Sequence, residues 1–392
     1  MASIKFPSNW NSRRRKDRRE SFRSQDVIFS RPIIRHVESH FPVLTSRARI
    51  EDDLYLNFRL FFIFGKLIGL VPFQGLFQRD YKKLRYFHFY RNSLQLIHLI
   101  HKWNDLRLYF TKPDVHLFRD VNLVAAVVMI SAILENLFVN LKYFPMGQEA
   151  EVRLQKLNRS ALEEYFINCN YQWSVLVAYH HALNLFTFVN NKLALYAWNY
   201  ADITIILLSR AIYFKFQALN SQGEDILFHK GAEQLKWSQF IRDYETLRKI
   251  LQEVNNFLSP LIFITYGIGI YFLCLQFHNR LNPYENATPI AAIYALWSIF
   301  HLIGRILLVS ISGARINDWA HQVADLLRRC PNKAYLSDVE RTENFISSKI
   351  IGLTGLGCFT ITKPLILNVI AVIFTFEMVL LQALQASLNK ST

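Results

Sequence analysis

The last apolar stretch of the chain, residues 364–384, carries polar side chains at a spacing that places them on one face of a helix. Residues at i, i+3 and i+7 share a face because an α-helix repeats every 3.6 residues. Uncharged amides and hydroxyls offer oxygen atoms to ions and water without the deep electrostatic trap of a carboxylate. The face therefore predicts either the wall of a water-filled path or hydrogen bonds to neighbouring helices. Its small or polar residues, here called the polar row, are Asn368, Ala371, Thr375, Met378, Gln382 and Gln385.

Two glutamates, Glu377 and Glu135, fall within apolar stretches of the sequence. Glu377 lies on the helical face opposite the polar row, between Ile373 and Leu380. Since an ionisable side chain is costly to leave in lipid, we expect both carboxyl groups to point into the protein and to find a partner there. The partner is either Arg305, a buried tyrosine or the hydroxyl groups of a bound ligand.

The elements that position these side chains are long apolar stretches. The 392 residues are 52% hydrophobic and 19% charged, with 32 Phe but only 13 Gly and 11 Pro. A soluble protein carries about a quarter charged residues, and a helix needs about 20 apolar residues to cross a bilayer. The sequence therefore predicts an all-α, polytopic helical membrane protein with about seven transmembrane helices over residues 54–386. The predicted spans are residues 54–76, 84–101 (the weakest), 121–143, 183–208, 257–278, 289–311 and 364–384.

Basic residues indicate the orientation of the chain in the membrane. Residues 1–53 form a basic arm, and cytoplasmic segments of membrane proteins are enriched in Lys and Arg. We therefore expect the N-terminus inside and, after seven crossings, the short tail of residues 387–392 outside. The loops that become cytoplasmic are also rich in Lys and Arg: residues 102–119, 210–256 and 313–363.

Glycosylation sequons agree with this orientation, since all of them fall outside: Asn158, Asn286 and Asn389. The basic run at residues 13–19 has an alternative interpretation as a nucleic-acid-binding tail. No recognition motif accompanies it, so we expect no nucleic-acid partner. We interpret the run instead as part of a cytoplasmic arm that touches anionic membrane lipid.

The motifs of the common enzyme classes are missing from the sequence. It contains no GxSxG, HExxH, Walker loop or dinucleotide fingerprint. The four cysteines, Cys169, Cys274, Cys330 and Cys358, form no CxxC pair and no zinc-binding spacing with histidine. We therefore expect no enzymatic activity, no cofactor and no metal site.

Five blocks of sequence resemble the insect gustatory receptors, and within them the sugar-receptor clade. The last block, "TFEMVLLQA" at residues 375–383, is similar to the family signature of Thr-Tyr, five mostly apolar residues and Gln-Phe. It departs from the signature at Phe376, which replaces tyrosine, and at Ala383, which replaces phenylalanine. The other blocks are residues 196–212, 259–277, 314–329 and 350–366.

The N-terminal third resembles the family in two short segments only. Residues 64–76 are similar to an early family segment, and residues 99–103 are similar to the end of its second span. Between them the family carries a strongly apolar helix that has no counterpart in this sequence. This departure bears on both the number of spans and the function.

The resemblance implies a tastant-gated, non-selective cation channel subunit in the plasma membrane of a chemosensory neuron. Members of the family form homo- or hetero-tetramers whose last span lines the central pore, which implies that the polar row faces that pore. Each subunit binds its tastant, here a sugar, in a pocket open to the outside. A non-conducting accessory subunit of a heteromeric receptor and a polytopic secondary transporter are the alternatives.

A sugar pocket requires both aromatic and polar side chains. Aromatic rings stack on the C–H faces of a sugar, while carboxylates, amides and indole N–H groups satisfy its hydroxyls, because a buried unpaired hydroxyl costs more than its pairing gains. The aromatic candidates have an equally ordinary role as interfacial anchors or core packing. The candidate ligand-binding residues are Glu135, Asn136, Asn184, Tyr196, Trp198, Asp202, Tyr271, Gln276, Tyr294, Trp297, His301 and Glu377.

Two stretches in the predicted cytoplasmic loops have the apolar spacing of amphipathic helices, residues 241–256 and 318–329. Such helices either hold the subunits of a tetramer together below the membrane or are ordinary solvated helices.

Overall fold

The computed structural model describes residues 53–67, 70–71, 73–74, 82, 84–86, 91–104, 116–228, 234–281, 288–332, 335 and 337–391. All of them belong to one of the two compact units of the chain, residues 46–392. The predicted basic arm, except for Asp53, lies outside the described residues, and its boundary stays a prediction.

The described residues are mostly helical. The helices are α1 (Leu54–Leu67), α2 (Arg91–Asn104), α3 (Leu117–Tyr143), α4 (Gln148–Leu157), α5 (Ala161–Cys169), α6 (Tyr171–Leu176), α7 (His181–Phe228), α8 (Gln234–Leu281), α9 (Pro289–Arg328), α10 (Ser337–Ser348) and α11 (Lys363–Ser391). Two short antiparallel pairs accompany them: β1 (Phe73–Gln74) with β2 (Arg85–Tyr86), and β3 (Thr354–Gly355) with β4 (Phe359–Thr360).

Four helices of the described residues are long and apolar enough to cross a membrane, namely α3, α8, α9 and α11. They contain the predicted spans 121–143, 257–278, 289–311 and 364–384. The predicted span 183–208 lies within α7, a helix of 48 residues whose buried face includes charged and amide side chains. Because of this polar content, α7 is long enough to cross a membrane but is not apolar enough to be counted with the four helices above.

The first two predicted spans are longer than the helices found there. Helix α1 ends at Leu67 rather than at residue 76, and α2 begins at Arg91 rather than at residue 84. Each has 14 residues, about 21 Å of helix, whereas the hydrocarbon core is about 30 Å thick. The charged run between them, which includes Arg79, Asp80 and Lys82, interrupts the apolar sequence.

The predicted cytoplasmic loop at residues 210–256 is largely helical, because α7 and α8 continue beyond the apolar spans. The amphipathic helix predicted at residues 241–256 is confirmed as part of α8. Its apolar face is buried against the rest of the bundle, with Trp237 and Phe240 extending it toward the start of the helix. The buried residues that the spacing predicted are Ile241, Tyr244, Leu247, Leu251 and Val254.

The turn between β3 and β4 fixes the point at which α11 begins. Asn255 of α8 accepts a hydrogen bond from the Thr354 backbone N–H at 2.7 Å, and Ser259 accepts one from the Leu356 backbone N–H at 2.7 Å. Gly357 has a φ of +74°, which a side chain would strain. The turn therefore ties the start of α11 to the middle of α8.

The predicted glycosylation sites fall in different parts of the chain. Asn158 caps α4, is exposed and has a φ of 50°. Asn286 lies outside the described residues, and Asn389 lies in α11 with its side chain outside the described part.

Candidate functional site

A buried ion pair joins α7 to α9 in the middle of the bundle. Arg305 donates from Nε to Asp202 Oδ2 at 2.6 Å and also from Nη2 to the same oxygen. Thr265 of α8 donates its hydroxyl to Asp202 Oδ1 at 2.8 Å, and the guanidinium carbon lies 4.8 Å from the centre of the Trp198 ring. Because both oxygens of the carboxylate are occupied, the charge is compensated within the protein.

A second polar cluster joins α3, α7 and α9. Ser298 donates to Glu135 Oε1 at 2.5 Å, and His301 Nε2 lies 3.1 Å from Asn199 Oδ1 and 3.6 Å from the other Glu135 oxygen. The Asn199 oxygen only accepts, which assigns the proton to Nε2 and leaves His301 Nδ1 to accept from the Ser131 hydroxyl, 2.8 Å away. The buried carboxyl groups thus have partners within the protein. Asp202 pairs with Arg305, and Glu135 pairs with Ser298 and His301.

Two more candidate ligand-binding residues bind neighbouring helices. Gln276 of α8 donates to Ser298 Oγ at 3.1 Å. Trp297 donates its indole N–H to the Ser131 carbonyl at 3.2 Å and packs edge-on against Phe138. The structure thus brings most of the polar candidates together, but their hydrogen bonds go to other groups of the bundle, such as Ser131, Ser298 and Arg305.

The remaining aromatic candidates differ in their relation to these clusters. Tyr271 is 62% exposed on α8, and Tyr196 is half-buried on α7. Tyr294 of α9 lies beside the second cluster, within hydrogen-bonding range of Gln276 and electrostatic range of Glu135, and the Lys142 ammonium is 5.5 Å from its ring centre. For these tyrosines ligand contact stays a prediction.

A cavity of about 500 Å³ lies between α3, α5 and the start of α7, and is here called the α3–α7 cavity. Its volume falls in the range of small-molecule pockets. Aromatic rings line it together with amide, phenol and imidazole groups. These lining residues are Phe144 and Phe188 among the apolar rings and Asn140, Tyr165, His181 and Asn184 among the polar groups.

The Asn184 side-chain oxygen is buried in the wall of this cavity and has no hydrogen-bond partner within the described part of the chain. An unsatisfied buried acceptor costs about 1–3 kcal/mol. Of the candidate ligand-binding residues, Asn184 is the one that lines the α3–α7 cavity. The cavity therefore holds an unused acceptor beside aromatic rings.

A network of amides continues from the cavity into α3. Lys192 donates to Asn136 Oδ1 at 2.6 Å and to Asn140 Oδ1 at 2.9 Å, and the Tyr165 hydroxyl donates to Asn140 Oδ1 at 2.9 Å. Burial raises the pKa of Tyr165, so its phenol is a neutral donor. Asn136 therefore lies behind the cavity wall and is linked through Lys192 to Asn140, which lines the cavity.

Sequence reasoning missed Asn140, Tyr165 and His181. A signal was present on α7, where His181, Asn184 and Phe188 follow a helical spacing. Tyr165 lies on α5, in the segment between predicted spans, and only the folded chain brings it to α3.

The polar row of α11 is exposed wherever its side chains are described, from Asn368 to Gln382. The Thr375 hydroxyl donates to the Ala371 carbonyl at 2.8 Å, and the side chain of Gln385 lies outside the described residues. Other faces of α11 are exposed as well, including Phe374 at 66%. A single chain therefore leaves most of α11 available to lipid, water or further copies.

Glu377 is on the face of α11 that contacts the bundle. It lines a cavity together with Val369 and Ile373 of the same helix. Its Oε1 is buried and has no hydrogen-bond partner in the described residues. The expected orientation toward the protein is found, but the expected partner of this oxygen is not.

Comparison with known proteins places the chain. Residues 55–391 match the trehalose receptor family. The chain is 28% identical over 229 residues to "Gustatory receptor for sugar taste 64f" of Drosophila melanogaster, covering 57% of this chain and 48% of that protein. It is 26% identical to "Gustatory receptor 5a for trehalose" of the same organism, covering 67% of this chain and 57% of that protein. The chain thus spans about half the length of these two relatives.

The fold is that of a polytopic helical membrane protein. The insect olfactory receptor OR5 from Machilis hrabei, solved in complex with eugenol, superimposes with a TM-score of 0.53, covering 97% of this chain and 93% of that one at 13% identity. The predicted fold class and the predicted family are both confirmed. The match over residues 55–391 means that the chain belongs to the trehalose receptor family, in the sugar clade of the insect gustatory receptors.

Proposed function

We propose that this chain is a subunit of a sugar taste receptor in which a hydroxyl-rich tastant binds in the α3–α7 cavity and opens a cation pore. The observation that carries the proposal is the buried, unpaired Asn184 oxygen in the cavity wall. A sugar hydroxyl donated to that oxygen satisfies both groups, while the Phe144 and Phe188 rings accept the C–H faces. Family membership supports the choice of a sugar.

The pore is proposed to form where the α11 helices of four copies meet. The polar row supplies amides and a hydroxyl to such an axis, which suits cations with little selectivity. Its exposure in the single chain, from Asn368 to Gln382, supports this arrangement. The N-terminal arm is then cytoplasmic, the C-terminal tail extracellular and the assembly a plasma-membrane protein of a chemosensory neuron.

A second candidate function is that of a non-conducting subunit which needs a related receptor as a partner. Helix α1 favours it, because its 14 residues are too few to cross the bilayer unaided. In that case the α3–α7 cavity still binds the tastant, and the pore is completed by the partner.

Whole-cell recording in a cell line that expresses the chain alone, or with a related receptor, tests these functions. Trehalose, sucrose, sugar alcohols and bitter compounds are perfused. Sugar-gated cation current from the chain alone supports the channel, and current only beside the partner supports the accessory role. Uptake of labelled sugar against a gradient would instead establish a transporter.

The residue-level test is Asn184→Ala. The loss of one buried acceptor raises the sugar concentration for half-maximal current by about 5- to 150-fold, because the unpaired hydroxyl costs about 1–3 kcal/mol. Asn190→Ala is the matched control, since Asn190 is exposed on the same helix and does not line the cavity. Equal dose–response curves for Asn184→Ala and Asn190→Ala would remove Asn184 from the binding site.

A further inference from the structure

A second cavity, of about 340 Å³, lies between α8, α9 and α11, and is here called the α11 cavity. Its walls are aliphatic and aromatic, with Leu273 and Phe277 from α8 and Ile306 from α9. Phe374 and Ile370 of α11 form an exposed rim at 66% and 54% exposure. The rim belongs to a helix that is long and apolar enough to cross a membrane. We therefore expect the cavity to open toward molecules dissolved in the bilayer.

Two polar side chains line this cavity, and only one has a free atom. The Ser310 hydroxyl donates to the Ile306 carbonyl at 2.7 Å and lies 2.6 Å from the Tyr266 hydroxyl. The Glu377 Oε1 atom is buried and has no hydrogen-bond partner in the described residues. Cys274 and His278 of α8 lie within electrostatic range of the carboxyl group, yet neither donates to that oxygen in the described structure.

This combination selects a particular ligand chemistry. An apolar wall favours a ligand by roughly 25 cal/mol per Å² of apolar surface removed from water. A single unpaired carboxyl oxygen favours one hydrogen-bond donor, because leaving it unmatched in an apolar site is costly. A sugar does not fit, since the wall offers no partners for its other hydroxyls. An aliphatic chain with a single donor at one end satisfies every group in the cavity.

We propose that the α11 cavity binds an aliphatic amphiphile from the bilayer that donates one hydrogen bond, from an alcohol or amine head group, to Glu377. The site is separate from the proposed sugar site, because none of its lining residues lines the α3–α7 cavity. It is also on the face of α11 opposite the polar row. Occupancy therefore places a ligand between α11 and the rest of its own subunit.

Photolabelling of the full chain in cell membranes tests the proposal without relying on channel activity. The probe is a decanol analogue with a diazirine in its alkyl tail and a terminal alkyne. Labelled peptides are identified by mass spectrometry. We expect labelling of α8, α9 and α11 around Ile306 and Ile373. The competitors are 1-decanol, decylamine and decyl methyl ether, which has the same apolar body but no donor.

Decanol and decylamine should each displace the probe, whereas the ether should require at least about tenfold more, because one hydrogen bond to a carboxyl group is lost. Equal competition by ether and alcohol would overturn the role of Glu377. Absence of displaceable labelling in the wild-type chain, as when a second copy or permanent lipid fills the cavity, would overturn the site itself.

Variants separate the carboxyl group from the cavity. Glu377→Leu should reduce displaceable labelling by about tenfold, while Glu377→Gln retains an acceptor and keeps the response to decanol. Ile373→Trp fills the cavity and should abolish labelling. Val372→Trp is the matched control, because Val372 is 53% exposed and does not line the cavity. Unchanged labelling in Ile373→Trp would place the probe elsewhere, and a folding failure of the Glu377 variants leaves the ligand competition as the deciding result.

Discussion

Replacement of Arg305 by methionine leaves the Asp202 carboxylate in the middle of the bundle without its cation. The pair has side-chain exposures of 5% and 2%, and Arg305 supplies two of the three hydrogen bonds that the carboxylate accepts. Breaking a buried pair by removal of one partner destabilises a protein by about 3–5 kcal/mol. The substitution also removes the packing of the guanidinium group on Trp198, whose ring centre lies 4.8 Å from the guanidinium carbon.

The double variant Asp202→Leu with Arg305→Met separates the stranded charge from the lost packing. Replacement of a whole buried pair by apolar residues is often neutral or stabilising by about 1–4 kcal/mol. We therefore expect the double variant to recover most of the stability that the single variant loses. The exposed pair Asp325 with Arg328, at 68% and 55% exposure, is the control, because such pairs contribute about 0–1 kcal/mol.

Thermal unfolding of the purified chain in detergent, followed by the fraction that stays monodisperse, measures these effects. At about 2 °C per kcal/mol, the lower end of the range for large domains, Arg305→Met should lower the apparent midpoint by about 6–10 °C. Asp325→Asn should lower it by less than about 2 °C. Equal shifts for Arg305→Met and Asp325→Asn, or a double variant as unstable as the single one, would refute the buried pair.

Three further predictions concern the polar row, helix α10 and the C-cap of α4. Gln382→Cys in the polar row should react with water-soluble thiol reagents and lose current, whereas Ile373→Cys, on the bundle side, should not; an inert Gln382→Cys in every gating state would contradict the pore. Hydrogen bonds from Tyr335 and then Arg328 hold the pKa of Glu343 below its usual range. The stability they contribute is present above the unfolded-state pKa and is lost as pH falls below about 4; Tyr335→Phe should flatten that decline in acid unfolding curves, and an unchanged curve would mean the bond is absent in solution. Asn158→Gln should remove one glycosidase-sensitive mass increment, and the same increment in both proteins would mean that Asn158 carries no glycan.

The parts of the fold that follow from periodicity could be predicted from the sequence. The apolar face at residues 241–256 was identified because a helix buries every third or fourth residue, and Leu247 and Val254 are fully buried. The ends of α1 and α2 could not be predicted, because apolar counting treats residues 54–76 as continuous. The chain instead leaves the helix after Leu67 and forms the β1–β2 pair.

The polar residues of the two buried clusters could be identified from the sequence, but their hydrogen-bond partners could not. The sequence marks Glu135, Asp202 and His301 as polar groups in apolar stretches, which predicts that they need partners. It does not say which partners, because Asp202 and Arg305 are 103 positions apart. Arg305 was one of the alternative partners considered for the two glutamates, whereas in the structure it pairs with Asp202 on α7. Only the packing of α7 against α9 decides between those alternatives.

The pattern on α9 explains why so many of the predicted ligand-binding residues are already satisfied. Ser298, His301 and Arg305 are spaced by three and four positions, so they share one helical face. Their partners lie on α3 and α7, and lipid offers no competing hydrogen bonds. Apolar side chains specify the alignment of membrane helices only weakly, because lipid tails are as apolar as leucine. We therefore expect the polar face of α9 to set the register of the bundle. Under the two proposals above, ligands bind instead at buried groups that have no hydrogen-bond partner in the described residues, such as Asn184 in the α3–α7 cavity and Glu377 in the α11 cavity.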